Sequence, residues 1–226
     1  RALFPALVAA KEDKERLRYL FLLSLGIQST LALPASVGLA TIASDVVQVT
    51  LGAQWVDAGP ILAALALAYG ANALTHSGGY LLTALGRFGS HALLQWSMVA
   101  TLAVLIFVLY PIAGAKEIMW MRVAICIPNI LGVGFLTSYL SRSISATDQL
   151  AAIIRPLLSC IVMNVVLLIA LRHLDFMSPI WRLPFAVLSG ALTYGLTLIA
   201  IWHLAGRPDG AESWFIEKAR RMLART

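Results

Sequence analysis

The stretch AGPILAALALAYGANALTHSGGYLLTALG, residues 58–86, contains 29 residues and no Asp, Glu, Lys or Arg. About 20 apolar residues cross the hydrocarbon core of a bilayer as a helix, and 18 or more without a charge is the usual signal of such a segment. The run from Ile61 to Ala68 is apolar at every position, whereas the strands of a membrane barrel alternate in polarity. The stretch therefore predicts a transmembrane helix.

The rest of the chain repeats this pattern. Only 12% of the 226 residues are charged, about half the fraction in a soluble domain. Arg155 interrupts one uncharged stretch, but a long basic side chain can extend to the lipid headgroups. We predict an all-α, polytopic membrane helix bundle with six transmembrane helices, over residues 19–44, 58–86, 88–112, 123–141, 151–171 and 183–206.

The basic residues between the spans predict the orientation of the chain. Thirteen Lys and Arg lie on the side of both chain ends, and four lie in the opposite loops. The positive-inside rule places the more basic side in the cytoplasm. We therefore predict a cytoplasmic segment over residues 1–18 and a cytoplasmic, amphipathic basic tail over residues 207–226 that rests on membrane lipids. The net charge of +6 is explained by topology and implies no nucleic-acid partner.

Motifs of soluble enzymes are absent from the sequence. There is no G-x-x-x-x-G-K-[ST] loop, no G-x-G-x-x-G fingerprint, no H-E-x-x-H and no C-x-x-C pair. We predict no enzymatic activity, no cofactor and no metal. One enzymatic alternative is an intramembrane serine protease, with Ser77 as nucleophile and His203 as base. That chemistry requires the two side chains within hydrogen-bond reach of each other.

Polar residues within the second span form the clearest functional pattern. Spacings of 3, 4, 4 and 3 put them on one helical face, and they are Tyr69, Asn72, His76, Tyr80 and Thr83. Polar side chains are costly in hydrocarbon unless they face protein or water. One interpretation is a hydrated path for a polar substrate, with His76 as a proton-linked switch. The alternative is that Asn72 and His76 form hydrogen bonds to neighbouring helices and only hold the packing.

Four short elements resemble a known family of membrane proteins. They are Phe4-Pro5-Ala6-Leu7, then Pro34 with Gly38-Leu39, then Leu51-Gly52-Ala-Gln-Trp55, and then Leu82-Thr-Ala84-Leu-Gly86-Arg87. With these elements the chain resembles bacterial polysaccharide flippases of the multidrug, oligosaccharidyl-lipid and polysaccharide exporter superfamily. In that family a cytoplasmic Pro-Ala-Leu segment precedes the ninth of fourteen spans, and a G-x-x-W element opens the tenth.

The resemblance implies that this chain is the C-terminal part of a larger, fourteen-span transporter. It implies a flippase that moves polyprenyl-diphosphate-linked oligosaccharide across the bacterial inner membrane by alternating access, for lipopolysaccharide or exopolysaccharide synthesis. The implied partners are the N-terminal lobe of the same protein, polysaccharide polymerase and assembly proteins. Arg87 would attract the diphosphate, or it would serve only as a positive-inside anchor.

A multidrug or ion antiporter of the same superfamily is the alternative function. Such an antiporter would carry carboxylates inside the membrane for cation coupling. The uncharged stretches of this sequence contain none.

Overall fold

A computed structural model describes residues 3–109, 112, 114–141, 143–174, 176–206, 210, 211, 213, 214 and 218. Most of these residues are helical and none of them is in a strand, which confirms the all-α prediction. The helices are α1 Leu3–Ala9, α2 Lys14–Thr41, α3 Ala43–Thr50, α4 Gly59–Ala84, α5 Phe88–Leu109, α6 Ala115–Ser141, α7 Ala146–His173 and α8 Pro179–Leu204, with a 3₁₀ helix over Ala53–Ala58. Six of them are long and apolar enough to cross a membrane, as predicted.

The leading segment contributes to the core of the bundle. Helix α1 buries Leu7, and the following turn buries Ala10, against a cluster that includes Phe21 of α2 and Leu81 of α4. Helix α2 begins at Lys14, before the predicted start at residue 19, because the Asp13 carboxylate caps it by accepting a hydrogen bond from the Arg16 N–H at 3.0 Å. The charged first turn of α2 therefore extends the apolar helix.

The connection between the first two spans contains two further helical elements. Helix α2 ends at Thr41, and α3 begins at Ala43, within the predicted first span. Gly52 then adopts a φ of 98°, a left-handed conformation that favours glycine, before the 3₁₀ helix. Trp55 in this 3₁₀ helix is exposed, in keeping with a ring at the membrane interface.

Small residues allow close approach of the central helices. Helix α2 packs against α4 and α7, α4 also packs against α6, and α7 packs against α8. A Cβ atom added at Gly70 would lie 2.1 Å from Ser36 Oγ of α2, and one at Gly78 would lie 2.4 Å from Val133 Cγ1 of α6. Only glycine fits these two contacts, as is typical of interfaces between membrane helices.

Polar side chains join α2 to three neighbours. Thr41 Oγ1 donates to Asn164 Oδ1 of α7 at 2.6 Å, and Ser24 Oγ donates to Ser77 Oγ of α4 at 3.0 Å. The Tyr194 hydroxyl of α8 donates to the Thr30 carbonyl at 2.8 Å. Each bond satisfies a polar group that hydrocarbon cannot solvate.

Two ion pairs connect helix ends. The Arg182 guanidinium of α8 donates to both carboxylate oxygens of Asp45 in α3, through Nε at 2.9 Å and through Nη2, and both side chains are largely buried. The Arg18 guanidinium of α2 donates to the Asp148 carboxylate of α7 at 3.1 and 2.8 Å, and this pair is more exposed.

The predicted basic tail over residues 207–226 lies largely outside the described residues. Of the positions that are described, Ala211 is 3% exposed, and its Cβ lies 3.1 Å from where a Cβ would stand on Gly26 of α2. Lys218 Nζ lies 4.6 Å from the centroid of the Trp214 ring.

Candidate functional site

The predicted polar stripe lies on an outward-facing side of α4. Tyr69 is 64% exposed and Tyr80 is 47% exposed. His76 is also exposed, and Asn72 and Thr83 are half-buried. At a rise of 1.5 Å per residue, the stripe from Tyr69 to Thr83 extends over about 21 Å, roughly two thirds of a hydrocarbon core.

The opposite side of α4 explains why the stripe points outward. Ala64, Ala68, Ser77 and Leu81 are fully buried against neighbouring helices. These residues are small or apolar, so they allow close packing with α2 and α6. The larger polar side chains are therefore left on the face that is less covered by neighbouring helices.

The polar side chains in the middle of the stripe have no role in joining the described helices. Neither the Asn72 amide nor the His76 imidazole forms a hydrogen bond with a described residue. The Thr83 hydroxyl donates to the Gly79 carbonyl of its own helix at 2.7 Å. The packing interpretation needs bonds to neighbouring helices, and Asn72 and His76 make none to the described ones.

Arg87 lies at one end of the stripe, in the turn that ends α4. The Arg87 N–H donates to the Leu82 carbonyl at 2.8 Å, and the Gly86 N–H donates to the Thr83 carbonyl at 3.0 Å. This is the bonding pattern of a Schellman motif, and the φ of 77° at Gly86 is the left-handed conformation that the motif requires. The motif fixes the backbone at the exposed Arg87, four residues after Thr83.

Arg122 lies near the other end of the stripe. The sequence did not predict this position of Arg122. We predicted the fourth span to begin at residue 123, leaving Arg122 in a loop, but α6 begins at Ala115 and includes it. The Arg122 guanidinium carbon lies 5.5 Å from the centroid of the Tyr69 ring, a cation–π distance. Its Nε is buried without a hydrogen-bond partner among the described residues. The ring contact explains how the helix can continue through a charged residue.

A pocket of about 190 Å³ lies beside the middle of the stripe, between α4 and α5. It is lined by Thr75, His76, Gly79, Tyr80 and Thr83 of α4 and by His91 and Gln95 of α5. None of the 22 residues of α5 is buried, and this helix packs mainly against α6, which leaves the pocket open. His91 and Gln95 were not among the residues predicted for the site.

Glycine shapes this pocket. A Cβ on Gly79 would lie 2.8 Å from His91 Nε2, so the imidazole rests on bare helix backbone. Gln95 Oε1 is buried and accepts no hydrogen bond from a described residue. The pocket is thus lined by an imidazole packed on the backbone at Gly79 and by a carboxamide whose oxygen has no donor among the described residues.

The two residues of the protease alternative lie on different helices, Ser77 on α4 and His203 on α8. Ser77 is fully buried, and its hydroxyl is engaged with Ser24 of α2. His203 lies in the last turn of α8, with its ring edge-on to Trp202 at a centroid distance of 5.1 Å. Among the described residues, no group of three or more His, Cys, Asp or Glu could hold a metal ion.

Part of the chain is similar to known proteins. The model of a family described as "Polysaccharide biosynthesis protein" matches residues 1–60. A Klebsiella pneumoniae protein, described as an uncharacterized membrane protein in the cps region, is 43% identical over 68 residues. Those residues are 30% of this chain and 14% of the relative, so the chain matches only a small part of that protein's length. No solved structure matches the chain significantly.

Proposed function

We propose that this chain belongs to a membrane protein of polysaccharide biosynthesis that moves polyprenyl-diphosphate-linked oligosaccharide across the bacterial inner membrane. The similarities to a polysaccharide biosynthesis family and to a cps-region membrane protein support the biosynthetic role. Translocation of the lipid-linked oligosaccharide is the more specific part of the proposal, and it rests on the polar face of α4. In this proposal the protein is a transporter and performs no chemistry on its substrate.

The observation that carries the proposal is an outward-facing polar stripe with a guanidinium near each end. An arginine at the centre of a membrane helix costs about 2.5–3.5 kcal/mol, and unpaired polar groups add to that cost. A face with Arg122, Asn72 and His76 is therefore unfavourable against lipid tails. We propose that it lines a hydrated path, whose other wall comes from further transmembrane segments.

The stripe suits an anionic, hydroxyl-rich substrate. Sugars and a diphosphate cannot cross hydrocarbon unless polar groups replace their water. Arg87 would attract the diphosphate at the cytoplasmic end, where the count of basic residues places it. The neutral groups of Asn72, His76 and Tyr80 would replace water around the glycan, while the polyprenyl tail stays in the bilayer.

Arg122 would receive the diphosphate near the outer end of the path. Its guanidinium is half-buried and forms no hydrogen bond with a described residue, so a phosphate oxygen can accept from it without breaking a bond seen in the structure. Alternating access would then expose first the Arg87 end and then the Arg122 end to water. An arginine near each end lets the anionic group be held at both stages.

The experiment is a translocation assay in proteoliposomes with a fluorescent polyprenyl-diphosphate oligosaccharide. We expect Arg122→Gln to lower the translocation rate about tenfold, because one charge-assisted hydrogen bond contributes about 1.5–3 kcal/mol. The matched control is Arg172→Gln, at an exposed position in the last turn of α7, which should translocate at the wild-type rate. Equal rates for the two variants and the wild type would argue against the proposal.

A further inference from the structure

We propose that the pocket between α4 and α5 binds a single neutral sugar residue of the glycan. This inference rests on the proposed function and adds a specific subsite to it. The subsite consists of His76, Gly79, Tyr80 and Thr83 on α4 with His91 and Gln95 on α5.

The chemistry of the lining favours a neutral ligand with several hydroxyl groups. Among the described residues that line the pocket, none is Asp, Glu, Lys or Arg. Two imidazoles, one carboxamide and one phenol can donate or accept hydrogen bonds. The hydroxyls of Thr75 and Thr83 donate to carbonyls of α4 and can still accept. A phosphate would lack a permanent cation here, and a lipid tail would leave these groups unsatisfied.

Gln95 supplies the most specific argument for a hydrogen-bonding ligand. Its Oε1 is buried and has no donor among the described residues. A buried acceptor without a donor is unfavourable, so a rotation that brings this carboxamide oxygen to a ligand donor in the pocket would favour binding. A sugar hydroxyl is such a donor, and its own oxygen can accept from a neighbouring imidazole N–H.

Gly79 and Tyr80 define the shape of the subsite. The imidazole of His91 rests over Gly79, where a Cβ would lie 2.8 Å from Nε2, so one wall of the pocket is set by the absence of a side chain. The Tyr80 ring is 47% exposed at the same pocket and offers an apolar face beside these polar groups. Pockets that bind small molecules combine apolar or aromatic surface with a few placed polar groups in this way.

The volume limits the ligand to about one ring. Pockets for drug-sized ligands measure about 300–1,000 Å³, whereas this one measures about 190 Å³. At about 30 Å³ per water molecule, this volume corresponds to roughly six waters. A single pyranose can displace such a cluster and reproduce its hydrogen bonds, whereas an oligosaccharide would have to extend along the stripe outside the pocket.

The test is saturation-transfer NMR on the protein in lipid nanodiscs, with glucose, galactose and N-acetylglucosamine as probes. We expect saturable binding of at least one of them and a loss of affinity of tenfold or more in Gly79→Ala, which displaces His91. Gln95→Leu should weaken binding similarly without that steric conflict. The matched control is Gly89→Ala on α5, because a Cβ there meets nothing within 4 Å, and it should bind as the wild type does.

Two outcomes would overturn the subsite. One is that none of the three sugars binds; the other is that binding is unaffected by both Gly79→Ala and Gln95→Leu. Neither outcome would contradict the proposed function if translocation still depends on Arg122. If both sugar binding and the dependence on Arg122 are absent, the proposed function fails as well.

Discussion

Replacing Asn72 and His76 together with leucine is expected to reduce translocation about a hundredfold while the protein remains folded. The two side chains lie in the middle of the stripe and make no hydrogen bond to a described residue. Leucine therefore removes groups that would solvate the substrate without breaking a contact of the bundle. Two lost hydrogen bonds at about 1–1.5 kcal/mol each correspond to roughly a hundredfold in rate. The measurement is the initial rate of translocation in proteoliposomes.

The control for this double variant is Ser97→Leu with Thr101→Leu on α5. Both hydroxyls are exposed and donate only to carbonyls of their own helix, each at 2.8 Å. This variant adds the same number of apolar side chains outside the stripe and should translocate normally. If the variant of Asn72 and His76 folds and also translocates at the wild-type rate, the stripe is not a substrate path.

Replacing Asp45 with alanine is expected to destabilise the protein by about 3–5 kcal/mol. The change leaves the guanidinium of Arg182 without its carboxylate in a largely buried position, where Asp45 is 8% exposed and Arg182 is 18% exposed. Breaking such a pair by removing one partner leaves a charge that is poorly solvated. At about 2–4 °C per kcal/mol for a chain of this size, the melting temperature should fall by roughly 10 °C. Thermal unfolding in detergent micelles measures the effect.

The matched control is Arg18→Gln in the second ion pair. Arg18 is 48% exposed and Asp148 is 23% exposed, so water solvates both groups after the pair is broken. The melting temperature should change far less than in Asp45→Ala, because exposed ion pairs contribute little to stability. Equal shifts for the two variants would show that burial does not distinguish the pairs.

The number of membrane helices could be predicted because hydrocarbon excludes charge over a fixed thickness. Most of each predicted span lies in one long helix, and the second span begins at Gly59, one residue from its predicted start at 58. The stripe on α4 could be predicted from the helical period alone. Its outward direction could not be predicted, because it depends on how Gly70 and Gly78 bring α2 and α6 against the opposite side of the helix.

The missed site residues share one physical reason: each depends on which helices are neighbours. Arg122 was assigned to a loop because a charge normally ends an uncharged stretch, but Tyr69 from another helix provides a ring for it. His91 and Gln95 belong to no polar stripe on α5. They line a pocket only because α5 lies beside Gly79 of α4. Likewise, the leading segment was predicted only as a cytoplasmic segment, and the burial of Leu7 against α2 and α4 was not foreseen.

The most direct test of the hydrated path is the reaction of single cysteines with a charged, membrane-impermeant thiol reagent. The native Cys126 and Cys160 are each 1% exposed and should stay unreactive. We predict that His76→Cys and Tyr80→Cys are modified rapidly, because water reaches the stripe. Leu192→Cys, at a position in the middle of α8 that is 65% exposed in the structure, should not react because it faces lipid. Cysteines at 76 and 80 that are as unreactive as the one at 192 would contradict the path.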